Sequence, residues 1–185
     1  DYFSKAALQL PELSHYFLLA KAQAELKQHN FNQAFSIANT LLESSPAPTP
    51  QFALRIKKVL ADIAVAEKDN QRIIKTHQAL LGNGLSEHEA LLFNLATALS
   101  NAGEHEKAND VYKRLLIRFP TSPGAKKAEK LKNLAHYNLD LKELEKRFDK
   151  LIEKLAFDRV VADVDMLAKQ SAEPAQSQLA FMAVK

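Results

Sequence analysis

The sequence predicts an all-α fold, a right-handed α-solenoid made of stacked helical hairpins. Three observations lead to this prediction. Apolar residues recur three and four positions apart along most of the 185-residue chain, the spacing that places them on one side of an α-helix. Prolines and the few glycines, 4 in all, fall between these stretches. The stretches come in pairs, and the pairs repeat, which is typical of a solenoid.

The best-defined hairpin is predicted at residues 86–120. A turn at residues 101–104 separates its two helices, and Pro120 ends the second one. Ala96 and Ala108 are small residues at positions where packed helices come closest. A hairpin of about 34 residues with these features is similar to the tetratricopeptide repeat.

Weaker copies of this hairpin are predicted at residues 14–45 and 50–82. Matched positions on the second helices are 39 residues apart from Ala34 to Ile73 and 35 residues apart from Ile73 to Ala108. Both distances are close to the length of the repeat. The additional residues fall in a proline-rich connection.

Local signals mark where several of these helices begin and end. Turns are expected at residues 29–30 and 68–70, and either Thr49 or Pro50 opens the helix that follows the proline-rich connection. Ser86, followed three residues later by Glu89, resembles a capping box. We therefore expect this pair to start the first helix of the best-defined hairpin.

A fourth hairpin is predicted at residues 139–170, with its turn at residues 156–158. Val160 matches Ala108 but lies 52 residues after it, which is one repeat plus one more helix. An unpaired extra helix is therefore expected at about residues 124–137.

Both ends of the sequence are expected to be partial repeats. Residues 2–10 have helical apolar spacing and stop at Pro11. They fit either the second helix of a repeat or a plain N-terminal capping helix. Residues 175–185 begin another helix that lacks its partner. The start is neither a signal peptide nor an initiator Met, so we expect the chain to be a piece of a longer protein.

Composition excludes several classes of function. The net charge of +3 is too small to indicate nucleic-acid binding. The chain has no cysteine, which excludes disulfides and thiolate chemistry and leaves both periplasm and cytosol open. No apolar run approaches the roughly 20 residues of a membrane-spanning helix, so no transmembrane segment is predicted.

No motif indicates catalysis, a cofactor or a metal site. The six histidines are scattered, and His77 falls on a packing position. The C-terminal carboxylates alternate with Lys and Arg, so we expect them on a solvated face. These are Glu143, Glu145, Asp149, Glu153, Asp158, Asp163 and Asp165. A general acid needs a carboxyl in an apolar pocket, and this pattern predicts none.

A basic cluster at residues 126–132 has two interpretations. Its lysines could contact phosphates or an anionic glycan, or they could form an ordinary solvated helix face. Glu129 interrupts the cluster, and no aromatic residues are interleaved for base stacking. The solvated face is the preferred interpretation.

The candidate binding surface is the concave groove that the first helices of stacked hairpins line. An extended peptide or a protein helix would fit a groove of mixed aromatic, charged and amide groups. The alternative is that its residues are ordinary half-exposed helix positions. The candidates are Tyr16, Leu19, Gln23, Arg55, Lys58, Asp62, Phe93, Thr97 and Asn101.

Most of the sequence resembles the superhelical domain of bacterial soluble lytic transglycosylases. The resemblance lies in ALQLPELSHYFLLAKAQAELKQHNFNQAF, in YKRLLIRFPTSPGAKKAEKL and in LDLKELEKRFDKLIEKLAFDRVVADVDML. In that family a helical solenoid precedes a lysozyme-like domain that cleaves peptidoglycan in the periplasm, with a Glu-Ser motif supplying the catalytic acid. Glu43-Ser44 lacks the accompanying motifs, so no catalytic role is assigned to Glu43.

The resemblance implies a non-catalytic scaffold in a periplasmic or other cell-envelope protein, which helps to place an enzyme on glycan strands. The alternative is a free-standing repeat adaptor that binds a peptide or protein, in the envelope or the cytosol. An enzyme in its own right is the third and least supported hypothesis. The sequence leaves the partner and the oligomeric state open.

Overall fold

The computed structural model describes residues 2–9, 13–45, 47–82, 88–131 and 137–168. Within these ranges the chain forms ten α-helices and no β-strand, and the predicted all-α class is confirmed. The helices are α1 (Tyr2–Gln9), α2 (Ser14–Lys27), α3 (Phe31–Leu42), α4 (Pro50–Glu67), α5 (Asn70–Gly82), α6 (Glu89–Asn101), α7 (His105–Arg118), α8 (Pro123–Leu131), α9 (Leu141–Glu153) and α10 (Phe157–Ala168).

The helices fall into two compact units, unit 1 (Asp1–Ser86) and unit 2 (Glu87–Lys185). In unit 1, each helix from α1 to α5 packs against the next, and α4 also contacts α2. In unit 2, α7 packs against α6, α8 contacts both of them, and α9 packs against α7 and α10. Packing of successive helices on one another is the arrangement of an α-solenoid.

The core of unit 1 is built from aliphatic side chains of α2, α3 and α4. Ile56 and Ile63 are fully buried, and Leu19 is 3% exposed. Ala34 and Ala38 of α3 are both fully buried, and their small side chains allow the neighbouring helices to pack close to α3. Burial of apolar area therefore holds these helices together.

Four hairpins share one type of turn. A residue with positive φ follows the first helix, and its N–H bonds the carbonyl three positions back. The next N–H bonds the carbonyl five positions back, and all eight N···O distances are 2.9–3.2 Å. This pair of hydrogen bonds is the Schellman motif. The left-handed residues are His29 (φ 63°), Lys68 (φ 58°), Gly103 (φ 82°) and Leu155 (φ 53°).

The shared turn sets the register of the second helix. Five positions after each left-handed residue, one side chain of the second helix is buried. These side chains are Ala34, Ile73, Ala108 and Val160, the positions matched in the sequence. Because the turn is the same in all four hairpins, the same position of the second helix is buried in the core each time.

The capping box predicted for α6 is wrong. The N-cap of α6 is His88, whose Nδ1 accepts from the N–H of Leu91 at 3.3 Å, so Glu89 is the first residue of the helix. The Glu89 carboxylate instead accepts from the N–H of Gly124 at 3.1 Å. A capping box does start α9, where Asp140 and Glu143 bond each other's backbone N–H groups.

The turn of the last hairpin was also placed too far along the chain. The prediction put it at residues 156–158, but α9 ends at Glu153 and α10 begins at Phe157. The turn forms at residues 154–156 because Leu155 takes the left-handed conformation. Phe157 therefore belongs to the helix.

Helix α8 (Pro123–Leu131) corresponds to the extra helix predicted at about residues 124–137 but begins one residue earlier, and residues 132–136 of that prediction lie outside the described residues. It contacts both α6 and α7, as α4 contacts both α2 and α3, so it packs as the first helix of a further hairpin would. A Cβ at Gly124 would lie 3.3 Å from Cβ of Phe93, so glycine allows the close approach of α8 to α6. Predictions that concern residues 10–12, 83–87 and 169–185 fall outside the described residues.

Candidate functional site

Six of the nine candidate residues lie on α2 and α4 of unit 1. Tyr16 is 52% exposed, and Gln23, seven positions later, is exposed on the same side of α2. Leu19 is 3% exposed and belongs to the core, because three residues of helix turn it about 60° away from Tyr16. Leu19 therefore offers no accessible surface.

The three candidates on α4, which are Arg55, Lys58 and Asp62, are all exposed. Their spacing of three and four residues places them on one side of the helix. Together with Tyr16 and Gln23 they define the α2–α4 surface. This surface carries two cations, Arg55 and Lys58, and one carboxylate, Asp62. Both signs of charge are therefore present, and positive charge is in excess.

An aromatic contact joins the two helices under this surface. The rings of Tyr16 and Phe52 are 4.9 Å apart at 57°, and Phe52 is only 7% exposed. The Arg55 guanidinium lies over both rings, with Cζ 5.9 Å from the Tyr16 centroid and 6.0 Å from the Phe52 centroid. Such cation–π contacts contribute about 0.5–1 kcal/mol at exposed sites. The sequence placed Phe52 on the apolar side of α4 but did not indicate this stack.

Within the described residues, the Arg55 guanidinium contacts the two rings and makes no hydrogen bond or ion pair. A guanidinium has five N–H donors in a fixed plane, which suits a carboxylate or a backbone carbonyl. The ring contacts therefore favour one orientation of a side chain that can donate to a partner.

The remaining candidates, Phe93, Thr97 and Asn101, lie on α6 of unit 2. Phe93 is half-buried, with its ring 6.3 Å from that of Tyr112 and the Lys127 ammonium 5.6 Å above it. The Thr97 hydroxyl donates to the Phe93 carbonyl at 2.8 Å and lies 3.2 Å from the Tyr112 hydroxyl. Packing within unit 2 thus uses two of these three side chains, and Asn101 is exposed.

The basic cluster at residues 126–132 is exposed where the structure describes it. Lys126 and Lys130 are exposed, and Lys127, also exposed, reaches the ring of Phe93. Lys132 lies outside the described residues. Exposure is common to both interpretations of the cluster, so the solvated face stays a prediction.

The sequence missed a buried ionic cluster in unit 2, which we call the Arg147 cluster: Arg147, Glu129, Arg159 and Asp163. Arg147 is fully buried; its Nε and Nη2 lie 3.0 and 2.9 Å from Oδ2 of Asp163, and Nη2 lies 2.8 Å from Oε1 of Glu129. Its Nη1 donates to the carbonyl of Leu116 at 2.6 Å. One side chain of α9 therefore bonds α7, α8 and α10.

Arg159 closes the cluster from α10. It donates to both Glu129 carboxylate oxygens at 2.6 and 2.7 Å and to the carbonyl of Pro120 at 2.6 Å. The two arginines face two carboxylates, so formal charge is balanced. With these bonds in place, the role of the cluster is to hold α7, α8, α9 and α10 together.

The expectation that Asp163 lies on a solvated face is wrong. Asp163 is 8% exposed. Burial raises the pKa of its carboxyl, while the charge of Arg147 and the hydrogen bonds from it act in the opposite direction. A signal was present in the sequence: Arg147 lies between Leu144 and Phe148, and Asp163 lies between Val160 and Val164, each at an apolar-stripe position.

The described residues also bear on two other kinds of site. No group of three or more His, Asp or Glu side chains there is arranged to hold a metal ion. In the same ranges, no helix combines the length and the apolar character that crossing a bilayer requires.

Residues 89–122 match the family model of the tetratricopeptide repeat. These 34 residues include all of α6 and α7, the hairpin that the sequence defined best. No curated protein and no solved structure shows significant similarity to the chain.

The tetratricopeptide repeat is a helical hairpin whose stacked copies form extended binding surfaces for proteins and peptides. Repeat domains of this type are generally non-catalytic. The Schellman turn of the repeat at Gly103 recurs at His29, Lys68 and Leu155. The family match is therefore to one hairpin, and three further hairpins share its turn.

Proposed function

We propose that the chain is a non-catalytic interaction domain in which the α2–α4 surface binds a protein or peptide partner. The observation that carries the proposal is the stacked Arg55 guanidinium, fixed over Tyr16 and Phe52 and making no hydrogen bond within the described residues. Exposed tyrosine and arginine side chains are the types that dominate binding energy at interfaces. Because Arg55 is already ordered, less side-chain entropy is lost on binding.

The exposed residues around Arg55 determine what the surface would bind. Lys58 and Asp62 on α4 and Gln23 on α2 provide charged and amide groups beside the Tyr16 ring. A peptide with a carboxylate for Arg55 and an apolar side chain for Tyr16 would satisfy both. In unit 2, Phe93, Thr97 and Asn101 of α6 are proposed as a separate set of contact residues, and Asn101 is the most exposed of them.

Alanine substitutions test this surface. We expect R55A and Y16A to abolish capture of the partner by the immobilised chain, because each removes one side of the stack. R118A, which removes an exposed arginine of α7, is the matched control and should leave capture unchanged. Equal capture by R55A and by the unsubstituted chain would exclude the α2–α4 surface as the binding site.

For the parent protein, the proposal is a periplasmic lytic transglycosylase or a related envelope protein, in which this domain helps to position the enzyme on glycan strands. The support is the resemblance of the three quoted segments. The reading frame beyond Lys185 tests it: continuation into a lysozyme-like domain with a Glu-Ser motif is expected, and an early stop codon would exclude it. Release of peptidoglycan fragments by this chain alone would contradict the non-catalytic assignment.

A free-standing repeat adaptor is the second candidate, favoured by the tetratricopeptide match. Co-sedimentation with purified peptidoglycan separates the two. If the chain sediments with peptidoglycan and the R55A variant does not, contact with glycan is supported. If the chain captures a protein but does not sediment with peptidoglycan, the adaptor is supported.

A further inference from the structure

Unit 1 also contains a cleft of about 570 Å³ between α3, α4 and α5. Phe35 and Leu42 of α3 and Leu60 of α4 provide its apolar part. Phe35 and Leu42 are half-buried, and Leu60 is 8% exposed. The volume lies within the range of roughly 300–1,000 Å³ that is usual for ligand sites, and it suits one or two apolar side chains rather than a whole helix.

The rim of the cleft is positively charged. Lys57 of α4 and Arg72 and Lys75 of α5 line it, and none of the described lining residues is Asp or Glu. Lys75 is exposed, and Lys57 and Arg72 are half-exposed. An apolar floor with a cationic rim is complementary to an apolar side chain flanked by carboxylates.

Arg72 acts as a wall of the cleft rather than as a mobile cation. Its Cζ lies 4.9 Å over the Phe35 ring, which links α5 to α3. Its guanidinium pairs with Glu67, and its Nε lies 3.5 Å from Oδ2 of Asp69. These carboxylates offset the charge of Arg72, and Lys75 is the most exposed of the three cations that line the cleft.

The cleft and the α2–α4 surface use opposite sides of α4. At about 100° per residue, Lys57 and Leu60 leave the helix roughly opposite to Arg55, Lys58 and Asp62. Their environments agree with this, since Lys57 and Leu60 line the cleft and the other three are exposed outside its lining. A substitution can therefore change one surface and leave the other intact.

We propose that this cleft binds a short acidic–apolar peptide segment, with an apolar side chain on Phe35, Leu42 and Leu60 and carboxylates on Lys57 and Lys75. The cleft is a second binding site of unit 1 and does not depend on the α2–α4 surface. Nucleic acid fits it poorly, because Phe35, the only aromatic residue among the described residues that line the cleft, is covered by Arg72.

Three synthetic peptides of equal length test the proposal on the full chain. In the first, leucine alternates with glutamate; in the second, lysine replaces glutamate; in the third, serine replaces leucine. We expect only the first to bind saturably in an NMR titration, with the largest amide shifts in α3 and α5. Equal binding of the lysine peptide, or no saturable binding of the glutamate–leucine peptide, would overturn the proposal.

Charge reversal supplies the matched pair of variants. K57E/K75E should weaken binding of the glutamate–leucine peptide at least about tenfold, which corresponds to about 1.4 kcal/mol. K142E/K146E reverses two exposed lysines four residues apart on α9 of unit 2 and should change affinity less than about twofold. Circular dichroism checks that both variants fold. Equal affinity of K57E/K75E and K142E/K146E would place the peptide elsewhere.

These variants also separate the two proposals. Loss of peptide binding in K57E/K75E with R55A unaffected supports the cleft. Loss in R55A with K57E/K75E unaffected assigns the peptide to the α2–α4 surface and overturns the cleft proposal.

Discussion

The two units hold their helices together by different means. In unit 1, aliphatic side chains such as Ile56 and Ile63 fill the space between α2, α3 and α4. In unit 2, an apolar core around Leu95 and Leu115 is supplemented by the Arg147 cluster, which joins α7, α8, α9 and α10. Both contain the same Schellman turn, so the difference lies in the packing between hairpins.

The difference shows what each kind of packing specifies. Apolar burial is non-directional and tolerates small shifts of one helix along another. The Arg147 cluster requires particular atoms at particular distances, because buried charges are costly unless they are paired. It therefore fixes the position of α8, α9 and α10 relative to the C-terminal end of α7.

The largest effect is expected from R147A. It leaves the carboxylates of Glu129 and Asp163 without their buried partner, which typically costs about 3–5 kcal/mol of unfolding free energy. Urea denaturation measures the loss, and hydrogen exchange should show faster exchange in α8, α9 and α10. K146A, at the exposed neighbouring position, should cost less than about 0.5 kcal/mol. A cost for R147A as small as that of K146A would mean that the cluster does not stabilise unit 2.

A comparable effect in unit 1 is expected from I56A. Ile56 is fully buried, and removal of its side chain leaves a cavity, at a cost of about 2–5 kcal/mol. Leu13 is 42% exposed, so L13A is the control and should cost less than about 1 kcal/mol. Hydrogen exchange should show the loss of protection in α2, α3 and α4. If R147A removed protection from the same helices as I56A, the two units would not be separate sources of stability.

A smaller effect is expected at the shared turn. Leu155 has φ 53° and is 76% exposed, so L155G relieves the left-handed strain and should stabilise the protein by up to about 1 kcal/mol. G103A makes the opposite change at φ 82° and should cost about 1–2 kcal/mol. Melting temperatures of both variants test this. A shift in the same direction in both would contradict the shared geometry.

The last effect is confined to high pH and leaves stability at neutral pH unchanged. The Tyr137 hydroxyl donates to the Ala128 carbonyl at 2.8 Å, and burial, with Tyr112 and Glu129 nearby, raises its pKa to about 12. The folded state thus prefers the protonated phenol, and this contribution to stability is lost as pH rises from about 10 to about 12.

Spectrophotometric titration of tyrosinate tests this prediction. We expect a late component of the titration, near the pKa of about 12 of Tyr137, and we expect Y137F to lack it. A late component that persists in Y137F would assign it to another tyrosine.

Apolar periodicity allowed the sequence to predict most of the fold. The paired helices and the matched positions Ala34, Ile73, Ala108 and Val160 were predicted because period and burial depend on nearest neighbours along the chain. The errors were local. A histidine rather than a serine caps α6, and Leu155 adopts the left-handed conformation that glycine usually takes.

The candidate site was predicted less completely. Tyr16 and Arg55 were both named, but their stack on Phe52 depends on how α2 and α4 pack, which spacing within one helix does not give. Leu19 was wrongly assigned to the groove, because a rotation of only about 60° around the helix axis separates its core position from the exposed position of Tyr16. Phe93 and Thr97 were named as groove residues, but the sequence did not indicate their contacts within unit 2. Phe93 contacts Tyr112 and Lys127, and Thr97 contacts Tyr112.

The sequence by itself determined the helices, the hairpin period and the absence of cysteine chemistry, because these follow from composition and local spacing. Only the tertiary structure decided the partners of Arg147, the stack that orders Arg55, and the cleft lined by Lys57 and Lys75. Each of these brings together side chains from different helices. Arg147 lies 16 residues before Asp163 and 18 residues after Glu129 in the sequence. Such contacts depend on the packing of one helix on another, and the pattern of a single helix does not contain it.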